Sequence, residues 1–178
     1  MNSRDELLAK IATVVGPTGV LTGEDVASRQ VGWLNPTPCK AGAIVRPAST
    51  EELSSVMKLC HEAGQSVIPV GGNTGLVEGT LADSDDVMIS TERMTAIEAT
   101  DIDGATLTVQ AGVPLEVVQT RAAEQGFMFP VDFGARGSAA IGGAISTNAG
   151  GNSVIRYGMM REQVLGLEAV LADGTVVS

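Results

Sequence analysis

The chain has 178 residues and a formal net charge of −10, with 44% hydrophobic and 18% charged residues. Apolar content this high with so little charge excludes a chain that is disordered over most of its length. The acidic excess makes nucleic acid and anionic membranes poor partners, so an anionic ligand would need backbone N–H groups rather than a basic patch. We therefore expect one globular domain, or one and part of a second.

Cysteine and histidine are scarce, which limits the metal and redox chemistry of the chain. Cys39, Cys60 and the single histidine, His61, cannot assemble a zinc site at ordinary ligand spacing, so we expect no metal. Two cysteines at unrelated positions indicate reduced thiols, which predicts a cytoplasmic location. The first residues lack the pattern of a secretory signal, and no stretch is long and apolar enough to span a membrane.

The first predicted element is a helix that begins at Ser3, where Glu6 completes a capping-box pattern. Gly16 and Pro17 end this helix. The chain is then predicted to be irregular as far as residue 42, with Trp33 covering an edge of the core rather than binding a ligand.

A compact βαβ unit is predicted next. Residues 43–46 and 66–70 are strand-like, and residues 50–63 between them have apolar residues at helical spacing behind a second capping-box pattern. The two strands should be parallel with a right-handed crossover. Residues 87–90 are predicted to add a third strand, and His61 is predicted to be a solvated surface residue of the helix.

The pattern then changes to hairpins and helices. The predicted elements are strands at 95–100 and 105–111, a helix at 114–125, and strands at 164–171 and 175–177. Turn signals at 101–104 and at Asp173-Gly174 separate the strands of each hairpin. Because the last strand has barely begun at Ser178, we expect the chain to be an N-terminal fragment, cut within a domain.

These elements predict an α+β fold with two lobes. The division is an N-terminal helix and irregular segment at 1–42, a βαβ lobe at 43–94, and a second lobe of antiparallel strands with helices at 95–178. An open sheet edge in the incomplete second lobe would favour a homodimer that covers it.

Glycine is concentrated in two clusters, and its total of 22 residues is about twice the average usage of roughly 7%. Glycine permits a positive φ and a close approach of the backbone to a ligand. The first cluster, 71–79, follows a predicted strand, and successive N–H groups in such a turn can hold an anion such as a diphosphate. Asn73 and Thr74 add side-chain donors. The loop is neither a Walker motif nor a Rossmann fingerprint, because it lacks Gly-Lys-Ser/Thr and the chain has no Gly-x-Gly.

The second cluster lies within 126–158 and surrounds a small, apolar stretch, 139–147, that is predicted to be a short buried helix. Gly142 and Gly143 on this helix leave room for a flat ligand. The alternative interpretation is that the helix needs small residues in order to pack against a sheet.

Taken together, three strings resemble a known family: IVRPASTEELSSVMKLCHEAG, PVGGNTGLVEGT and GSAAIGGAISTNAGGNSVIRYGMMREQVLGLEAVLADGTVVS. They are similar to the FAD-binding (PCMH-type) domain of FAD-linked oxidoreductases of the vanillyl-alcohol oxidase type. Within that group they resemble the branch of D-lactate, glycolate and D-2-hydroxyglutarate dehydrogenases. The resemblance extends over nearly the whole chain from about residue 20.

The resemblance implies FAD extended between the two lobes and oxidation of a D-2-hydroxy acid to a 2-oxo acid. It implies that the FAD diphosphate is lined by Pro69, Val70, Gly71, Gly72, Asn73, Thr74, Gly75 and Leu76. It implies that the rest of the cofactor is flanked by Pro130, Asp132, Gly134, Ser138, Ile141, Gly142, Gly143, Thr147, Asn148, Gly150 and Gly151.

The resemblance also bears on attachment and catalysis. Some relatives bind the flavin covalently through a histidine in the diphosphate loop, and Asn73 stands at that place here, so the expectation is non-covalent FAD. Family members are more than twice this length, and their substrate domain carries the catalytic groups, so we assign no catalytic residue within this chain. Two alternatives stay open: a non-catalytic nucleotide-binding or assembly module, and the FAD domain of a sugar oxidase, an aldonolactone oxidase or a molybdenum hydroxylase.

Overall fold

The computed structural model describes residues 3–178 and contains a 4-stranded sheet and two hairpins of two strands each. The helices are α1 (Ser3–Val15), α2 (Glu24–Ala27), α3 (Thr50–Glu62), α4 (Leu115–Glu124), α5 (Ile141–Ser146) and α6 (Val154–Tyr157). The strands are β1 (Val20–Leu21), β2 (Ala43–Val45), β3 (Val67–Val70), β4 (Val87–Ser90), β5 (Ile97–Asp101), β6 (Thr106–Val109), β7 (Ala169–Val170) and β8 (Val176–Val177). Short 3₁₀ turns occupy Pro17–Gly19 and Met160–Gln163.

The sheet has the strand order β1-β2-β4-β3, and β2, β4 and β3 are parallel. The predicted parallel βαβ unit is confirmed, although β4 lies between the two strands that α3 connects. Strand β1 is antiparallel to β2 and corrects the prediction that residues 17–42 are irregular. It is only two residues long, too short to give an alternating pattern, and its pairing with Val45 and Ile44 is what keeps it extended.

Helix α3 begins as its capping box predicts. The backbone N–H of Glu52 donates to Ser49 Oγ at 3.2 Å, and the carboxylate of Glu52 accepts from the Ala48 N–H at 2.7 Å. The inner face of α3 packs with α1 against the sheet. This first core contains Leu7, Ile11, Val15, Val45, Val56, Cys60, Val87 and Ile89. His61 lies on the solvent side of α3, as predicted.

A second core lies under α4 and α5. Its buried members are Val113, Leu115, Val118, Val131, Ile141, Ala144 and Met160. The hairpin β5–β6 precedes α4, and both have shorter bounds than the sequence predicts. Helix α6 and the turn at Met160–Gln163 were not predicted, because each is about one turn long and carries no measurable periodicity.

The last hairpin, β7–β8, returns to the first lobe and lies against α3. Ser54 on α3 donates its hydroxyl to the Gly174 carbonyl oxygen at 2.5 Å, and Thr50 bonds the Glu168 carboxylate at 2.6 Å. Among residues 3–178, no helix has the length and apolar character required to cross a membrane.

Trp33 does not cover the core. Its side chain is 70% exposed, which makes the prediction for this residue wrong. The reason is a tight turn in which Gly32 and Asn35 exchange backbone hydrogen bonds at 3.1 Å, so that the intervening residues project outwards.

Cys60 gives a test of this packing through pH. Burial of the thiol in the first core raises the pKa of Cys60 to about 11. The folded state holds the thiol proton more tightly than the unfolded state does. Its contribution to the unfolding free energy is therefore complete at pH values below the pKa of the unfolded thiol, and it is lost as pH rises towards 11. From about pH 8 to about pH 11, the wild-type chain should lose roughly 1–2 kcal/mol of unfolding free energy more than Cys60→Ala does.

The measurement is urea unfolding under reducing conditions at several pH values. Lysine and tyrosine titrations are common to the two proteins and cancel in the difference. Parallel pH profiles for wild type and Cys60→Ala would show that the thiol is not buried in this way.

Candidate cofactor-binding site

The first glycine cluster forms a loop at the carboxyl end of β3, beside the ends of β4 and β2. The loop stays attached to the sheet because the Thr91 N–H donates to the Val70 carbonyl oxygen at 3.1 Å. Beyond Val70, the backbone N–H groups from Gly71 to Leu76 donate to no other group within residues 3–178. The residues from Gly71 to Thr74 are half-buried, so a row of unused donors lines a partly enclosed edge of the sheet.

This loop touches the second glycine cluster directly. A Cβ added to Gly72 would stand 1.8 Å from the Ser138 carbonyl oxygen, and one added to Gly71 would stand 3.2 Å from the Ala140 Cβ and 3.8 Å from the Gly143 nitrogen. Neither glycine has a positive φ. Glycine is therefore required here for the contact between two backbones, and not for its freedom of φ.

The positive φ values of the loop belong instead to Asn73, at 52°, and Glu78, at 54°. The Asn73 side-chain amide donates to the Gln30 carbonyl oxygen at 3.0 Å and accepts from the Thr80 hydroxyl at 2.9 Å. The amide of Asn73 is thus used within the protein. Thr74 is the predicted donor whose side chain has no partner among the described residues.

In the second cluster, the two adjacent glycines of α5 have different surroundings. A Cβ on Gly142 would lie 2.8 Å from the Ala111 Cβ, whereas one on Gly143 would meet no atom within 4 Å. The interpretation that small residues let the helix pack closely therefore holds for Gly142. Gly143 faces open space on the side of Gly71, as the interpretation of a ligand lying against the helix requires.

The end of α5 uses the polar side chains that were predicted to line the cofactor. The Thr147 hydroxyl donates to the Gly143 carbonyl oxygen at 2.9 Å, and the Asn148 side chain accepts from the Arg161 N–H at 2.9 Å. Buried Ile141 belongs to the second core. For these three residues the structure shows a supporting role, and contact with the cofactor stays a prediction.

Of the remaining predicted residues, Asp132 and Gly151 lie in contact with each other. The Asp132 carboxylate pairs with Arg136 at 3.0 Å and accepts from the Gln119 amide at 3.3 Å. Gly151 has a φ of 153°, and a Cβ there would stand 2.2 Å from the Asp132 carbonyl oxygen. Pro130 and Gly150 are half-buried, and Gly134 and Ser138 are exposed.

A charged cluster that was not predicted from the sequence lies at the same edge of the sheet. Glu92, just after β4, binds Arg29 through two hydrogen bonds of 3.1 Å and Arg46 through one of 3.0 Å. Burial raises the pKa of the Glu92 carboxyl, but the hydrogen bonds and charges of Arg46 and Arg29 outweigh this and hold the pKa below its ordinary value. No sequence signal connects residues 29, 46 and 92.

The residues present fit the diphosphate of FAD. A row of unbonded N–H groups can bind its oxygens, and the absence of Cβ atoms at Gly71 and Gly72 lets the loop lie against the segment 138–143. No lysine or arginine is needed, as the acidic composition anticipates.

Comparison with known proteins agrees with this geometry. Residues 41–178 match the family described as FAD binding domain. The chain belongs to this family. The predicted resemblance, the two-lobed α+β fold and FAD as cofactor are thereby confirmed.

Relatives in this family are dehydrogenases by name. D-2-hydroxyglutarate dehydrogenase, mitochondrial, of Bos taurus is 40% identical over 99% of this chain and 32% of its own length. D-2-hydroxyglutarate dehydrogenase of Xanthomonas citri pv. viticola is 47% identical over 76% of this chain and 29% of its own. Putative D-lactate dehydrogenase C713.03, mitochondrial, of Schizosaccharomyces pombe is 37% identical over 86% of this chain and 29% of its own length. The chain thus spans about a third of the length of these relatives.

Among solved structures, alkyldihydroxyacetonephosphate synthase superposes with a TM-score of 0.86 at 19% identity. The superposition covers 97% of this chain and 37% of that one. At this identity the likeness shows the fold alone.

The prediction of a cytoplasmic location is contradicted. The cattle and fission-yeast relatives are mitochondrial proteins by name. The error arose because reduced cysteines exclude only oxidising compartments and do not identify which reducing compartment a protein occupies.

The contact at Gly72 can be tested with a matched pair of alanine variants. Gly72→Ala should lose most of its bound FAD, because its Cβ would collide with the Ser138 carbonyl oxygen and separate the two loops. Gly75→Ala should keep its FAD, since a Cβ there meets no atom within 4 Å. The measurement is the visible flavin absorbance per polypeptide after purification.

Far-UV circular dichroism of the two variants controls for global unfolding. Equal flavin content in wild type and Gly72→Ala would show that the close approach of the two loops is not needed for cofactor binding.

Proposed function

We propose that this chain provides the FAD-binding part of a flavin-dependent dehydrogenase that oxidises a D-2-hydroxy acid to a 2-oxo acid. The observation that carries the proposal is the row of unbonded N–H groups from Gly71 to Leu76, facing the segment 138–143, in a chain of the FAD binding domain family. The substrate class follows from relatives named D-2-hydroxyglutarate and D-lactate dehydrogenases.

Each lobe contributes one part of the binding. The loop after β3 binds the diphosphate through its N–H groups, which needs no positive side chain. The second lobe presents Gly143 and the backbone of Ser138 to the same space. When bound, FAD supplies the acceptor for the hydride of the substrate carbon, while the protein orients the reactants and adjusts the electronic properties of the flavin.

Groups that bind and deprotonate the hydroxy acid are proposed to lie outside these 178 residues. Oxidation next to a carboxylate needs a base and a cationic clamp. His61 is exposed on α3 and belongs to neither glycine loop. Among the cations near the second cluster, Arg136 pairs with Asp132 and Arg156 lies 5.2 Å above the Tyr157 ring. Both of these arginines are therefore already partnered, and the third cation of this region, Arg161, is exposed and binds Asn148 through its backbone N–H.

Attachment of the flavin is proposed to be non-covalent. Asn73 occupies the loop position at which some flavoproteins of this type carry a histidine, and its amide cannot form a bond to the flavin ring. That amide is also engaged with Gln30 and Thr80.

Acid precipitation tests the mode of attachment. Because no covalent bond holds the flavin, trichloroacetic acid should leave the yellow colour in the supernatant and a colourless pellet. A free-FAD sample and a covalent flavoprotein, treated in parallel, define the two extremes. Colour that remains in the washed pellet would contradict the proposal.

Activity of the complete protein tests the function. With FAD and an artificial dye as electron acceptor, D-2-hydroxyglutarate or D-lactate should reduce the dye, and the L-enantiomers should not. Glycolate, which has no stereocentre, tests the remaining substrate of the predicted group. Gly72→Ala should abolish the reduction and Gly75→Ala should retain it.

The same assay distinguishes the two alternative functions from the proposed one. FAD binding without turnover on any 2-hydroxy acid would support a non-catalytic module, and turnover on a sugar or a lactone would support a different oxidase. The 178-residue chain by itself should show no turnover, because the groups that bind and deprotonate the substrate are proposed to lie outside it.

A further inference from the structure

Three consecutive residues of the N-terminal segment, Arg29, Gln30 and Val31, cross the carboxyl edge of the sheet. We call them the crosspiece. The Gln30 carbonyl oxygen accepts from the Asn73 amide at 3.0 Å. The Thr80 hydroxyl lies 2.9 Å from the Asn73 side-chain oxygen and 3.1 Å from the Val31 carbonyl oxygen, and its single proton is shared between these two acceptors. The crosspiece therefore holds the glycine loop at both of its ends.

The crosspiece is itself anchored to the sheet and to its own segment. Arg29 binds both carboxylate oxygens of Glu92, which follows β4. The Arg29 carbonyl oxygen accepts from the Cys39 N–H at 2.8 Å, and the Val31 N–H donates to Thr37 at 3.0 Å. Because the crosspiece is bonded both to the sheet and to its own segment, it can hold the glycine loop in a fixed position relative to the sheet.

Few other hydrogen bonds hold the glycine loop; beyond those of Asn73, the Glu78 carboxylate accepts from the Asn35 amide at 3.1 Å. Within residues 3–178, the hydrogen bonds of residues 71–76 are those of the Asn73 side chain. Glycine at 71, 72 and 75 adds backbone freedom, which must be lost before the loop can present its N–H groups together.

Asn73 suits this place for two reasons. Asparagine is among the few non-glycine residues that tolerate a positive φ, here 52°. Its amide also provides one donor and one acceptor, matching the Gln30 carbonyl oxygen on one side and the Thr80 hydroxyl on the other. Aspartate would present an acceptor to the Gln30 carbonyl oxygen and lose that bond.

We propose that the side chains of Asn73 and Thr80 have a positioning role: they couple the diphosphate loop to the crosspiece and so set the affinity for FAD without themselves contacting it. The proposal rests on the function proposed above, because it assumes that this loop holds the FAD diphosphate. It predicts that a residue outside the row of N–H groups, Thr80, controls both the order of the loop and cofactor affinity.

Thr80 gives a matched pair of variants. Thr80→Val preserves the shape of the side chain and removes its hydroxyl, whereas Thr80→Ser keeps the hydroxyl. Loss of one such hydrogen bond should weaken FAD binding about fivefold in Thr80→Val. Thr80→Ser should bind within about twofold of wild type, and Asn73→Gly, which keeps the positive φ but loses both bonds, should bind more weakly than Thr80→Val.

A measurement without FAD separates positioning from a general loss of stability. The ¹⁵N order parameters of residues 71–76 should fall from about 0.85 in wild type towards about 0.6 in Thr80→Val, and Thr80→Ser should restore them. Those of β2 and β4 should not change. Unchanged order of the loop in Thr80→Val would overturn the proposal, even if that variant unfolds at a lower urea concentration.

Titration with FAD, followed by flavin fluorescence, completes the test. Equal FAD dissociation constants for wild type and Thr80→Val would also overturn the proposal. A wild-type chain with an ordered loop that binds no FAD would instead refute the function of the loop. The order parameters would still show whether the crosspiece positions the loop. A failure of the positioning proposal can therefore be distinguished from a failure of the proposed function.

Discussion

The close approach of two backbone segments is the constraint on which this structure depends. At Gly72 the chain passes so near the Ser138 carbonyl oxygen that a single methyl group would overlap it. A comparable approach occurs where Gly112 meets the Thr91 carbonyl oxygen, at 1.9 Å from an added Cβ, next to the boundary between the two lobes. At these two places the lobes therefore meet through main chain, and a ligand bound beside Gly72 would encounter peptide groups.

Binding through peptide N–H groups explains how a chain with an acidic surface can hold an anionic ligand. A net charge of −10 opposes the approach of a diphosphate, yet unbonded N–H groups attract it locally without a cationic side chain. The arginines that do lie near this edge are held by Glu92 or by backbone carbonyl oxygens, as Arg93 is by those of Val15 and Arg46. Positive charge is thus used here to join elements, and recognition is left to the backbone.

The sequence was informative where the chain repeats a local pattern. The helix at Thr50–Glu62, the strand at Val87–Ser90 and the position of the glycine loop after a strand all follow from spacing and capping within a few residues. It was uninformative for contacts between distant residues, such as Asn73 with Gln30 or Glu92 with Arg29. For the glycine clusters, density indicated a ligand, but only the structure separates Gly142, which packs on Ala111, from Gly143, which faces open space.

The docking of β7–β8 on α3 has a consequence for how the chain folds. The hydrogen bond from Ser54 to Gly174 joins residues 120 positions apart, so the first lobe does not make all of its native contacts until Gly174 is available. Contacts of such long range close large loops and slow the approach to the native state. During synthesis, the side of α3 that carries Ser54 would stay exposed until the 120 residues up to Gly174 have been added.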